Sequence, residues 1–264
     1  MIKPSHRKFN IPTRLGFFII IILSLVLSGC NSNSEDTSPV VNTDAIRVYF
    51  TGGSHDYKQV ITAVTDAIDS AQSSINIAMY NLNLREVEQA LRNAHKRGVK
   101  VRLVVESDAL DGWVPRSLNS SGIPMVSDGR ESLMHNKFIV IDKRQVWTGS
   151  LNLTENGVIE DRNNLVRVDS PSIAEYYTQE FEEMFTAGLF GNASPEGSAD
   201  QGIFEAASIP VEVYFSPEDG VMDILLEEVA SAQEEIVFLS YSFTSDPLAQ
   251  ALTEKARQGV RVMG

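Results

Sequence analysis

His135-Asn136-Lys137-Phe138-Ile139-Val140-Ile141-Asp142 is followed by Lys143 to Thr148 and then by Gly149-Ser150-Leu151-Asn152. Reduced to its chemistry, this is H-x-K-x4-D followed by x6-G-S-x-N. Phe138 to Ile141 is an apolar run rich in β-branched residues, which predicts a buried strand. His135 and Lys137 are two apart, so on that strand they share a face. Lys143-Arg144-Gln145 predicts a polar turn. A second strand then starts and Gly149 breaks it, with Ser150 and Asn152 again on a common face. Such a hairpin gathers an imidazole, an ammonium, a hydroxyl and an amide at one point.

That set suits a phosphate diester. Lys137 offers a point charge to phosphate oxygens, and Ser150 and Asn152 offer neutral donors. His135 can serve as nucleophile or as acid/base. A lone histidine beside a basic strand residue is more often ordinary packing. Five residue types at these spacings are much harder to obtain that way.

The stretch resembles the HKD motif of the phospholipase D superfamily, and every defining position matches. The resemblance implies His135 as the nucleophile that forms a phosphohistidine, Lys137 and Asn152 as holders of the phosphate oxygens, and Ser150 as the residue that orients the site. The motif aspartate falls on Asp142, at the far end of the predicted strand. Asp142 is therefore expected, with Gly149, to support the structure rather than the chemistry. The resemblance implies no cofactor and no metal, and the sequence shows no metal-ligand cluster.

Upstream, Lys3, Arg7, Lys8 and Arg14 precede an apolar run from Leu15 to Leu27, too short for a confident membrane span. Leu27-Ser28-Gly29-Cys30 matches a bacterial lipobox. Residues 1–29 are expected to be a lipoprotein signal peptide, with Cys30 lipidated and fixed to the outer side of the cytoplasmic membrane, or to the outer membrane facing the periplasm. Cys30 is the only cysteine, so no intramolecular disulfide can staple the fold. Residues 30–45 are polar and aperiodic and predict a flexible tether.

The formal net charge is −13, and the signal segment holds four of the basic residues. So acidic a chain repels nucleic acid at long range. It leaves room for a local basic groove around Lys137.

Residues 46–188 alternate strand and helix, the α/β signature. Strands are expected at 47–50, 74–80 and 99–105, and helices at 57–72 and 84–96. The apolar strand 99–105 is expected to be central. Residues 106–131 predict loop with a weak strand at 123–126. Asn163 and Asn164, at the start of a further strand, are candidates for a polar wall of the site. A helix is expected at 173–185, and a small, polar linker at 189–209.

The chain then repeats itself. Ser231-Ala232-Gln233 repeats Ser70-Ala71-Gln72, Tyr241 answers Tyr80, Gln250-Ala251-Leu252 answers Gln89-Ala90-Leu91, and Gly259-Val260 answers Gly98-Val99, all at an offset of 161 positions. The expected fold is therefore a phospholipase D-like mixed β-sheet flanked by helices, duplicated. The second copy, 210–264, is incomplete. Projecting His135 by the same offset falls near position 296, beyond the last residue, so the chain is expected to be cut inside its second copy.

One histidine cannot be both nucleophile and leaving-group acid. A second motif is expected from the missing C-terminal part or from a homodimer partner. The leading functional expectation is a phosphodiesterase that hydrolyses or transfers the phosphatidyl group of a membrane phospholipid. A metal-independent endonuclease of the same superfamily is the alternative, disfavoured by charge. A non-catalytic, membrane-anchored binding protein is the third, disfavoured by the intact motif.

Overall fold

The hairpin at the motif begins two residues later than the side-chain alternation suggests. In the computed structural model, which describes residues 45–53, 56–130, 132–195, 197 and 202–264, strand β5 spans Lys137–Ile141 and strand β6 spans Gln145–Gly149. His135 lies in the loop before β5 and not on the strand. Asp142 and Lys143 both have positive φ, 52° and 53°, and the Arg144 N–H donates to Ile141 O at 3.0 Å. That is a two-residue turn of the primed type, which matches the right-handed twist of its strands. The turn is therefore Asp142-Lys143, one residue ahead of the expected Lys143-Arg144-Gln145. Asp is among the residues that tolerate the left-handed region.

The hairpin sits inside a seven-stranded mixed sheet. Its other strands are β1 (Ile46–Phe50), β2 (Ser74–Met79), β3 (Lys100–Val105), β4 (Met125–Ser127) and β7 (Asn164–Asp169). The order is β1-β7-β6-β5-β2-β3-β4. β2, β3 and β4 run parallel, while β5, β6, β7 and β1 join antiparallel. The middle strand is β5. β3 lies one place from the edge, so its nearly continuous apolar run, broken by Arg102, does not mark centrality. It reflects cover on both faces.

Helices α1 (Tyr57–Ser70), α2 (Arg85–Lys96) and α3 (Trp113–Ser120) cover one face. Val60, Val64 and Ile68 of α1 pack there with Ile75, Ile77, Val101, Leu103, Ile139 and Trp147. Helix α5 (Pro171–Phe185) covers the other face, where Phe181 and Tyr177 meet Ala78, Val104, Phe138 and Val140. The alternation along β5 is therefore a division between two cores: Ile139 and Ile141 face one, Phe138 and Val140 the other.

Two short helices depart from the expected loops. α3 replaces part of the loop at 106–131; Pro115 sits in its first turn, where a missing N–H costs nothing. α4 (Glu155–Ile159) follows Asn152 and is capped by the Thr154 hydroxyl, which accepts from the Gly157 N–H at 3.0 Å.

The expected linker also carries structure. Strand β8 (Ile203–Ala206) pairs antiparallel with β9 (Ile209–Glu212). Ala206 is buried in the α5 core, and Phe204, Val211, Val213 and Phe215 pack against it. Phe215 meets the Tyr176 and Tyr177 rings at 5.5 and 5.1 Å. Phe204 and Ala206 were hidden by the small, polar residues around them, and Val211, Val213 and Phe215, expected to open the second copy, pack instead on the core of the first.

The second copy comprises α6 (Val221–Ser231), β10 (Glu235–Val237), α7 (Asp246–Arg257) and β11 (Arg261–Met263). β10 pairs parallel with β11, Glu235 opposite Arg261, as β2 pairs with β3, Ser74 opposite Lys100. The helix ends match as well. Gly98 and Gly259 take φ of 92° and 94°, and Val99 and Val260 each close the preceding helix with a bond of 3.1 Å. The expected signal peptide, tether and Cys30 lie outside the described residues.

Candidate active site

Most of the residues singled out above lie at one end of the sheet, and Asp142 lies at the other. Tyr80 and Glu106 follow β2 and β3, His135 precedes Lys137 at the start of β5, Ser150 follows β6, and Asn164 begins β7. Tyr80 N–H donates to Asn136 O at 3.0 Å, which extends the β2–β5 ladder to the motif itself.

His135 and Lys137 gather around the Tyr80 ring. The imidazole meets it edge-on, with centroids 4.7 Å apart. The Lys137 ammonium lies 5.1 Å from the same ring centroid and donates to His135 O at 3.0 Å. Burial lowers the Lys137 pKa to about 8. The His135 pKa is also lowered, first by burial and then by the Lys137 charge, against an opposing pull from Glu106.

Glu106 was not anticipated. It is 1% exposed and directly follows the buried Leu103-Val104-Val105 end of β3. One oxygen accepts from the Met134 N–H at 2.5 Å and the other from the Ser107 hydroxyl at 2.9 Å. It thus fixes the backbone one residue before His135. A carboxylate directly after a run of buried aliphatics was the available signal, since so buried an acid needs partners.

Ser150 faces the two asparagines. Its hydroxyl donates to Asn163 Oδ1 at 3.0 Å and accepts from the Asn164 N–H at 3.1 Å. Asn163 is held in turn by Gly157 O, at 3.0 Å from its amide nitrogen, and by the Thr51 hydroxyl, at 3.0 Å from its backbone N–H. Gly149 permits this closeness. Its φ is 149°, and a Cβ there would stand 2.4 Å from Asn164 O. Asn152 Oδ1 is buried with no hydrogen-bond partner among the described residues. Orphaned buried polar atoms are rare and mark places where a partner belongs.

Asp142 lies at the opposite end of β5. Its carboxylate accepts from the N–H groups of Gln72, Ser73 and Ser74 at 2.9, 2.7 and 2.9 Å and from the Ser73 hydroxyl at 2.8 Å. Burial raises its pKa, but these four bonds outweigh it and the net shift is downward. Asp142 therefore ties the α1–β2 turn to the hairpin and stands apart from His135 and Lys137.

Asn136 points the other way from Lys137. Its amide donates to Glu180 Oε1 on α5 at 3.2 Å. Burial, then Glu218 beside it, pushes the Glu180 carboxyl up to about 8. Among the described residues no group of three or more His, Cys, Asp or Glu is placed to hold a metal ion, and no helix is long and apolar enough to cross a membrane.

Comparison with known proteins gives a consistent assignment. A family model described as cardiolipin synthase, PLD-like domain, matches residues 64–185. A mitochondrial cardiolipin hydrolase of Xenopus tropicalis is 33% identical over 117 residues, 44% of this chain and 56% of that protein. A phospholipase D of Rickettsia conorii is 32% identical over 118 residues, 44% of this chain and 59% of that protein. The chain spans about half the length of the curated relatives it matches. A polyphosphate kinase structure from Porphyromonas gingivalis shares the fold, with a TM-score of 0.55 at 14% identity, over 82% of this chain and 37% of that one. The matched segment runs from within α1 through the H-x-K hairpin to the end of α5, and residues 64–185 form a PLD-like domain of the phospholipase D superfamily.

Proposed function

We propose that this protein is a phosphodiesterase of phospholipase D type that cleaves the phosphatidyl head-group bond of a membrane phospholipid, passing the phosphatidyl group to water or to another alcohol. The observation that carries the reading is the placement of His135 and Lys137 about one ring at the end of the sheet. The names of the relatives, cardiolipin hydrolase and phospholipase D, favour a lipid diester over a nucleic acid. The net charge of −13 favours it too.

In this mechanism His135 acts as the neutral imidazole, which its lowered pKa favours near pH 7. A ring nitrogen attacks phosphorus, an N–P bond forms and the bond to the head-group oxygen breaks. Lys137 and Asn152 neutralise and hold the phosphate oxygens as charge builds. Ser150, fixed by Asn163 and Asn164, orients the pocket. Water then cleaves the N–P bond and restores His135. The acid that protonates the leaving oxygen comes from a second H-x-K pair, in a twin subunit or in a longer chain. No cofactor takes part. The lipidated Cys30 holds the enzyme on the bacterial envelope beside its substrate.

The test uses phosphatidylcholine and cardiolipin vesicles, with a labelled oligonucleotide as competitor. His135→Asn and Lys137→Met should each lower lipid turnover by about a thousandfold or more. His135→Asn retaining a tenth of the rate would remove it as nucleophile. Faster cleavage of the oligonucleotide would reassign the substrate. The pH profile should be bell-shaped: activity rises as His135 loses its proton and falls as Lys137 deprotonates near pH 8. A rate still climbing past pH 9 would contradict the role given to Lys137. Cys30→Ala should abolish fatty-acid labelling, and unchanged labelling would end the anchoring proposal.

A further inference from the structure

We propose that Tyr80 is a positioning residue of this site: one ring holds the His135 imidazole by edge contact and the Lys137 ammonium by cation–π attraction, so nucleophile and charge keep a fixed separation. Three observations converge on it. The His135 centroid lies 4.7 Å from the Tyr80 centroid, at an interplanar angle of 60°. Lys137 Nζ lies 5.1 Å from the same centroid, within the range in which a cation is drawn to the ring face. The Tyr80 N–H is bonded to Asn136 O, between the two motif residues, so the ring is placed by the same ladder that places the motif.

The chemistry explains why an aromatic is needed. His135 stands in a loop and is exposed, so strand geometry does not fix its ring. Lys137 carries four rotatable bonds, and its ammonium donates to a backbone carbonyl, that of His135. An aromatic face offers a site to a cation and an edge partner to an imidazole without taking a proton from either. Only the ring is used, so the phenol hydroxyl is dispensable. Misplacing reacting groups by an ångström can cost about a hundredfold in rate.

The kinetic part of this proposal rests on the phosphodiesterase reading; the structural part does not. The experiment therefore has two readouts. The first is NMR of the whole chain, following the His135 ring protons and the titration of Lys137. The second is lipid turnover. Tyr80→Phe should keep the ring-current shift of His135 and stay within about threefold of the parent rate. Tyr80→Leu should abolish that shift and lower kcat by about 30–100-fold with little change in KM. Phenylalanines carrying one, two or three ring fluorines at position 80 preserve shape while draining the ring face of charge. Across that series the Lys137 titration should move steadily downward, and this series carries the test should Tyr80→Leu fail to fold. Tyr241→Leu, the same change at the equivalent position of the second copy, should leave the His135 signals in place. A His135 signal indifferent to Tyr80→Leu, or a Lys137 titration indifferent to fluorination, overturns the proposal whatever the activity. A parent protein inactive on every diester, with the NMR effects as expected, overturns the phosphodiesterase reading and leaves Tyr80 as the holder of the pair.

Discussion

The two copies of the helix–strand–helix–strand unit share their local structure and differ in what covers it. In the first, α1 buries Val60, Val64 and Ile68, and five of the six residues of β2 are buried. In the second, α6 buries none of its residues, and β10 leaves Val237 60% exposed. Yet helix ends, glycine conformations and strand register agree across the pair. Local sequence is thus sufficient for the elements and their parallel pairing. The core comes from elsewhere. β2 lies between β3 and β5, whereas β10 is paired with β11 alone among the described residues. The antiparallel half of the sheet, which brings the H-x-K strand, also brings the second cover.

The largest difference between the copies is expected at Ile75 and Ile236, the same residue at equivalent positions. Ile75 is fully buried between sheet and helices, and Ile236 is half-buried. Ile75→Ala should cost about 2–5 kcal/mol in urea unfolding, and Ile236→Ala under about 1.5 kcal/mol. Equal costs would mean that the second copy is as well covered as the first.

A smaller effect separates the copies at the turn before the strand. Asp142 caps the N–H groups of Gln72, Ser73 and Ser74, where the second copy places Gln233, Glu234 and Glu235. Two acidic residues at those positions repel any similar carboxylate cap. Asp142→Asn should cost about 1–2 kcal/mol at pH 7. The sign with pH follows from its lowered pKa. The stabilisation is present above the unfolded value, about 3.9, and fades as pH falls through the folded value. Variant and parent should therefore converge in acid, and a gap that persists there would show that the carboxylate charge is not what matters.

The smallest effect expected is at Lys143–Glu175, which joins the hairpin turn to α5 at 3.4 Å with both side chains more than half exposed. Lys143→Ala should change stability by less than about 0.5 kcal/mol. A larger loss would mean that the turn leans on α5 more than its geometry indicates.

The motif was legible because its chemistry and its strand coincide: four apolar residues fix β5, and the polar residues on either side of it land at opposite ends. The duplication was legible because constant spacing survives divergence. His135 was misplaced by two residues, since alternation cannot tell the end of a loop from the start of a strand. α3 and α4 hold Pro115 and Gly157, residue types that disfavour a helix at most positions. Pro115 is in a first turn. Gly157 leaves no room for a Cβ, which would stand 2.5 Å from Asn152 O. Glu106 and the ring contacts of Tyr80 depend on pairs far apart in the chain, and single-sequence periodicity carries no such information.

The hairpin β8–β9 and Phe215 decide where this molecule can be shortened. Composition suggests a cut near residue 188, but Phe204, Ala206 and Phe215 lie on α5 against Tyr176 and Tyr177. A protein ending at 188 would strip the face of the very helix that backs the H-x-K strand. One ending after Gly220 would keep that face dressed. The seam between the copies, for a protease or for an engineer recombining such units, therefore runs beyond the 189–209 stretch that composition marks. The hairpin travels with the copy that carries His135.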